Sequence, residues 1–166
     1  FDVKALGVPS PSENITFSDC VAWGGKARCY GINGEVDSAI RNVTFKDSAV
    51  ICRDATWNNN RVASLAVVVE LADGSIDGVT FDNIEIFRDE GRPILVKIYD
   101  GEAENFEIKN VVFRNISYTS YMQPKIAGTN SNTNTVQVEL DNITVCGKKQ
   151  SFPQLLFNIG KYCEIT

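Results

Sequence analysis

The sequence has no histidine, a single methionine and no apolar stretch long enough to cross a membrane as a helix. The missing histidine excludes Ser-His and Cys-His nucleophilic machinery and any His-ligated metal. The five cysteines, Cys20, Cys29, Cys52, Cys146 and Cys163, form no Cys-x-x-Cys pair, so no zinc site and no other metal site is expected. Cys20, Cys29 and Cys52 lie in apolar phrases and read as core residues, while Cys146 and Cys163 lie close enough to the C-terminus to staple the tail. No basic patch exists: sixteen Lys and Arg are scattered in a chain of net charge −5, which argues against a nucleic-acid partner. WGGK at 23–26 lacks the frame of a phosphate-binding loop, and no cofactor is implied. The chain opens on Phe1 with neither a basic nor an apolar leader region, so processing or truncation is expected to have removed what came before.

What the sequence does have is repetition. NITFSDCV (14–21), NVTFKDSAV (42–50), GVTFDNIEIF (78–87), NVVFRNISY (110–118) and VELDNITV (138–145) are variants of one phrase. Aligned on Phe17, Phe45, Phe81, Phe113 and Leu140, they recur at spacings of 28, 36, 32 and 27 residues, the range of a solenoid repeat. Within each phrase apolar residues alternate with polar ones and are mostly Val, Ile and Phe, a strand pattern. No helical stripe is present. The five central residues should therefore form one buried column, and the Asp or Asn two positions later should sit at a turn.

Further apolar runs precede the phrase, at 26–33, 64–71 and 93–100, and follow it, at 49–54, 84–89 and 116–121. Three short strands per coil describe an all-β protein, a right-handed single-stranded parallel β-helix of about five coils, incomplete at its N-terminal end. Residues 1–12 read as a lead-in, 13–150 as the coils and 151–166 as a tail able to cap the last one. The gaps between Arg53 and Ser64 and between Ser120 and Thr135 read as projecting loops. Arg53-Asp54 and Arg88-Asp89-Glu90 occupy equivalent places and read as surface charges. The sequons at Asn14, Asn42, Asn115 and Asn142 read as turn asparagines at equivalent repeat positions rather than as glycosylation sites.

Alternation assigns outward residues on the strand ahead of the phrase. In PILVKIYD, Ile94, Val96 and Ile98 turn inward and Leu95, Lys97 and Tyr99 outward; in SLAVVVEL, Ala66, Val68 and Glu70 turn outward. With Ala27, Cys29 and Gly31 taken as inward, Arg28 and Tyr30 join the outer row. Trp23, Arg28, Tyr30, Lys97 and Tyr99 are thus the candidate substrate-binding residues, rings for stacking on sugars and cations for hydroxyls or uronates. The plainer alternative is a solvated face with ordinary cross-strand ion pairs. Glycoside hydrolysis needs two carboxylates flanking a bond, and Glu35, Asp37, Glu70 and Asp100 are candidates by position, Asp37, Glu70 and Asp100 being the weak catalytic choices. No adjacent Asp-Asp pair occurs.

The run from ENITFSDCVAW through VICRDA, followed by VTFDNIEIFRDEGRPILVKI, resembles the C-terminal half of pectin-lyase-like parallel β-helix carbohydrate enzymes, near the polygalacturonase-like and dextranase or isopullulanase-like glycoside hydrolases. The resemblance covers about residues 13 to 145 and implies a substrate groove along KARCYGIN, SLAVVVEL and PILVKIYD. Here those strands lack the Cys-Gly-His-Gly and Arg-Ile-Lys phrases of the first group, and the Asp-Asp phrase of the second would lie upstream of ENITFSDCVAW. The resemblance implies a fragment of a polysaccharide-degrading enzyme without its aspartate pair, with a polysaccharide or oligosaccharide partner, no membrane, and an extracellular or periplasmic location. A non-catalytic carbohydrate-binding β-helix and a structural, tailspike-like module that self-associates end to end or as a trimer are the alternatives.

Overall fold

The computed structural model describes residues 1–5, 7, 10–36, 38–54, 61–69, 71–72, 74–99, 106–120, 122–128, 135–150, 158–159 and 163–166. Its strands are β1 (Asp2–Ala5), β2 (Ser12–Ser18), β3 (Val21–Gly25), β4 (Tyr30–Val36), β5 (Ala39–Arg53), β6 (Leu65–Val69), β7 (Leu71–Ala72) and β8 (Ser75–Asp89). They continue as β9 (Ile94–Ile98), β10 (Glu107–Ser120), β11 (Lys125–Ala127), β12 (Thr135–Val145), β13 (Lys148–Gln150), β14 (Asn158–Ile159) and β15 (Cys163–Ile165). The protein is all-β, and among the described residues there is no helix. One sheet runs β1-β4-β6-β9-β11-β14 and the other β13-β12-β10-β8-β5-β2, with β7, β3 and β15 attached to β4, β5 and β12. Every pairing except β12 with β13 is parallel, the arrangement of stacked coils in a β-solenoid.

The repeat phrase sets this stack. Phe17, Phe45, Phe81, Phe113 and Leu140 are in register across β2, β5, β8, β10 and β12. The four rings stack with centroids 5.1, 5.1 and 4.7 Å apart, close to the strand spacing of about 4.8 Å. Ile15, Val43, Val79, Val111 and Val138 form a second inward column beside them. In a solenoid each residue's contacts come from the rung above and the rung below, so like side chains at like positions pack without a global jigsaw.

Three strands per coil were expected, but in β5, β8, β10 and β12 the phrase and the run after it form one continuous strand, bent rather than broken. In the first rung β2 and β3 part at Asp19-Cys20. The bends fall on non-glycine residues in the left-handed region: Asp19, Asp47, Asn83, Asn115 and Asn142, with φ between 50° and 56°. These are the Asx residues two positions after the central column. Short polar side chains that bond locally make this conformation tolerable. A second such row, Asn14, Asn42, Gly78 and Asn110, lies three positions before the column. Each bend resets the alternation, so Arg41 and Asn42 are both exposed between Ile40 and Val43. The sequons therefore divide between two rows, Asn14 and Asn42 in one and Asn115 and Asn142 in the other, instead of sharing one position. Rung-to-rung bonds join them: Asn42 Nδ2 donates to Asn14 Oδ1 (3.3 Å), Asn83 Nδ2 to Asp47 Oδ1 (2.9 Å) and Asn142 Nδ2 to Asn115 Oδ1 (2.7 Å).

Two further expectations change. Residues 2–5 of the lead-in are a strand of the stack, with Asp2 opposite Gly31 and Val3 opposite Ile32. Arg53 and Asp89 are not surface charges; both side chains are fully buried and face each other in register. Arg53 Nε and its terminal nitrogen donate to the Asp89 carboxylate at 2.7–3.1 Å, and Asp89 also accepts from Ser64 Oγ (2.6 Å) and Gly91 N (2.7 Å). A buried ion pair survives only when its remaining donors and acceptors are satisfied in this way. The network ties the end of the long strand to the start of β6. Cys146 and Cys163, near enough in sequence to staple the tail, are both free thiols, and the Cys163 sulfur accepts from Gly128 N at 3.2 Å.

Candidate functional site

The structure does not assemble the expected outer row. Tyr30 points inward and is 0% exposed. Its ring stacks on Phe1 at 5.2 Å and tilts against Phe45 at 6.0 Å, and its hydroxyl lies 2.9 Å from Cys20 O and 3.0 Å from Ala49 O. Burial pushes the phenol up to about 12. The inversion arises at the strand start, where Cys29 N and Tyr30 N both bond Ser64 O and shift the alternation by one. Arg28 is half-buried. Trp23 stands on β3, in the other sheet from Lys97 and Tyr99. Asp37, Glu70 and Asp100 lie outside the described residues, as does the side chain of Glu35.

Lys97 and Tyr99 do share a face, but the ring is already engaged. Lys97 Nζ sits 3.7 Å from the Tyr99 centroid and the Arg61 guanidinium 5.0 Å from it. The floor beside them is not open either. Ala66, Val68 and Leu95 turn outward as expected, yet all are 0% exposed and form a second small core with Ala63 and half-buried Tyr99. Sugar rings have no clear sheet surface there.

An open surface lies instead beyond the Asx bend. On the second limb of the long strands Val21, Ala49, Glu85 and Ser117 are in register and face outward. The next outward positions are Ile51 and Phe87, set opposite each other by the flanking pairs Val50–Ile86 and Arg53–Asp89. On the rung before Ile51, Trp23 is exposed beside them and pairs with Cys52 across a register shift. Exposure is 81% for Trp23, 62% for Val21, 52% for Phe87 and 39% for Ile51. Trp23 and Phe87 are two rungs apart, roughly 10 Å along the axis. A shallow groove of about 530 Å³ runs beside them, lined by Asp19, Val21, Asp47, Glu85, Phe87 and Asn115 among others. Apolar contact area and a row of carboxylates and amides thus lie side by side for several rungs. No protein family, curated protein or solved structure matches the chain. The site rests on its own geometry.

The neighbouring limb, before the bend, is built differently. Its charged outward rows read Glu13, Arg41, Asp77, Lys109 and, past the Asn14 row, Ser18, Lys46, Asp82, Arg114, Asp141 along the stack, with the row Thr16, Thr44, Thr80, Val112 between them. Charges alternate in sign from rung to rung, with Arg41–Glu13 at 3.8 Å and Arg114–Asp82 at 2.8 Å. The hydrogen bond from Arg114 holds the Asp82 carboxyl below the usual range. This limb satisfies itself. Alternation analysis missed the apolar limb, although AVIC and IEIF already carry Ile51 and Phe87 at outward parity, where a solvated strand would place polar residues. Among the described residues no group of three acidic or cysteine side chains is placed to hold a metal.

Proposed function

We propose that this chain is the polysaccharide-holding part of a carbohydrate-active β-helix of the pectin-lyase-like kind its coil phrases resemble. The observation that supports this reading is the exposed strip Trp23–Ile51–Phe87 beside the Asp19–Asp47–Asn83–Asn115 row. Exposed rings stack on the C–H faces of pyranoses, and carboxylates and amides accept from and donate to their hydroxyls. The rung spacing of about 4.8 Å is close to the length of one sugar unit in an extended chain, so successive rungs can meet successive units. The groove's charged groups are the carboxylates of Asp19, Asp47 and Glu85. That favours a neutral glycan over a polyuronate, which they would repel. Hydrolysis is assigned to no residue, and the chain alone should release negligible reducing sugar. Robust release would turn attention to Glu70 with Asp37 or Asp100.

Affinity electrophoresis through dextran, pullulan and polygalacturonate tests the reading. Retardation by a neutral glucan is expected, with none by polygalacturonate. Trp23→Ala should weaken binding by at least about tenfold, as truncating an exposed aromatic anchor does. Its melting temperature should not move. No retardation in any of the three gels, or a Trp23→Ala protein that binds as its parent does, leaves a purely structural solenoid.

A further inference from the structure

The strip beside the groove has a period. Trp23 and Phe87 are strongly exposed rings, and Ile51, on the rung between them, offers an aliphatic side chain instead. Rings therefore recur on every second rung, roughly 10 Å along the axis. The strip also stops within the chain: on the rung after Phe87, β10 carries exposed Thr119 between Tyr118 and Ser120. Polar groups keep a different period. Asp19, Asp47, Asn83 and Asn115 stand one to a rung along the other side of the groove. Ala49 belongs to the floor between the two sides.

A glycan that matches both periods must be straight. It must turn the same apolar face toward the strip at every second unit and show hydroxyls along its edge at every unit. A β-1,4-linked chain of equatorially substituted pyranoses does this. Its equatorial linkages keep it extended, each unit is turned half a revolution from the last, and its hydroxyls project sideways, leaving C–H groups on the faces. With a unit length close to the rung spacing of about 4.8 Å, units n and n+2 present the same face to Trp23 and Phe87. An α-1,4-linked chain curls away from a straight strip. An α-1,6-linked chain has an extra rotatable bond per unit, whose freedom is lost on binding. We propose, on the basis of the glycan-holding function above, that the groove selects by linkage. It takes neutral β-1,4-linked glycans with equatorial hydroxyls, and Trp23 and Phe87 stack on units two apart. Glucans with α linkages reach one ring at a time and bind more weakly.

Calorimetric titration of the intact 166-residue chain with cellohexaose, maltohexaose and isomaltohexaose is the test, since these glucose hexamers differ only in linkage. Cellohexaose should bind at least about tenfold more tightly than the other two, the difference one aromatic anchor makes. Cellotriose is the shortest chain that reaches both rings, so cellobiose should bind about tenfold less tightly than it does. Phe87→Ala should lower cellohexaose affinity by about tenfold and maltohexaose affinity by no more than about twofold, which collapses the preference. Circular dichroism is the control on its fold, since the Phe87 side chain is half-exposed. Equal or tighter binding of either α-linked hexaose, cellobiose binding as well as cellotriose, or a preference that survives Phe87→Ala overturns the linkage assignment and leaves glycan holding intact. Binding of none of the three hexaoses removes the glycan-holding function itself, and the linkage assignment with it.

Discussion

Two outer faces of the same strands, separated by one Asx residue per rung, have opposite character. Immediately before the bend the outward row alternates in charge through Lys46, Asp82, Arg114 and Asp141, as does the row of Glu13, Arg41, Asp77 and Lys109 one bend earlier. After it the outward positions are Val21, Ala49, Glu85 and Ser117, then Ile51 and Phe87, with Trp23 alongside, so that large apolar side chains are exposed there. Stacking explains the inner columns of both limbs equally, because each inward side chain must match its neighbours on the adjacent rungs. It places no such demand on the outer side chains. A face that pairs its own charges has little left to offer a ligand, whereas exposed Trp and Phe in rows are costly in water and profit from being covered. The difference between the faces, and not the fold they share, carries the functional reading.

The largest expected effect would damage both faces together. Asp89→Ala strands the Arg53 guanidinium without its anion in a fully buried site and removes the acceptor of Ser64 Oγ and Gly91 N. Breaking one side of such a pair costs about 3–5 kcal/mol. Denaturant unfolding should show that loss, and glycan retardation should vanish with it, because Ile51 and Phe87 precede the pair by two residues on the same strands. Replacing both partners with apolar residues, Arg53→Met with Asp89→Leu, should recover most of the stability, since the desolvation cost disappears with the charges. A stable Asp89→Ala protein would mean that the two faces do not share this support.

These particulars also show what a sequence can disclose in such a fold. The Phe17 to Leu140 column and the bend two residues later were legible because the stack is periodic and each rung repeats the same local demand. The inward turn of Tyr30 was not, since it depends on a one-residue shift where Cys29 and Tyr30 share a single carbonyl. The Arg53–Asp89 pair was hidden because its members are 36 residues apart and look like ordinary surface charge until the register joins them. The cover over Ala66, Val68 and Leu95 is tertiary and left no mark on their own strands. Of the expected sugar-binding residues only Trp23 is strongly exposed, and it belongs to a different sheet from Lys97 and Tyr99.

A middle-sized effect belongs to the bend that divides the faces. Asn83 holds φ of 54° and donates to Asp47 Oδ1 at 2.9 Å. Asn83→Ala keeps a Cβ in the left-handed region without the polar side chain that tolerates it, at a cost of about 1–2 kcal/mol. Asn83→Gly should cost less, because glycine adopts that conformation freely. Both values are readable from urea midpoints. Equal losses in the two variants would show that the rung-to-rung side-chain bond, not backbone strain, sets the corner.

The smallest effect separates the faces most cleanly. Asp77 lies between Arg41 and Lys109 in the charge row, so Asp77→Lys puts three cations on consecutive rungs about 4.8 Å apart. Like charges directly opposite one another on neighbouring strands destabilise by up to about 1 kcal/mol, and salt screens exposed charges. The substitution also removes the Oδ1 that accepts from Asn110 Nδ2 at 2.7 Å, so the midpoint should fall slightly at low ionic strength and recover only its electrostatic part in about 1 M salt. Phe87→Ser, on the other face, should show no such salt-reversible loss, because its side chain is half-exposed and uncharged, yet it should weaken glucan retardation while Asp77→Lys leaves retardation intact. If Asp77→Lys abolished glycan binding and Phe87→Ser did not, the ligand surface would be the charged limb, and the contrast between the two faces would have to be read in reverse.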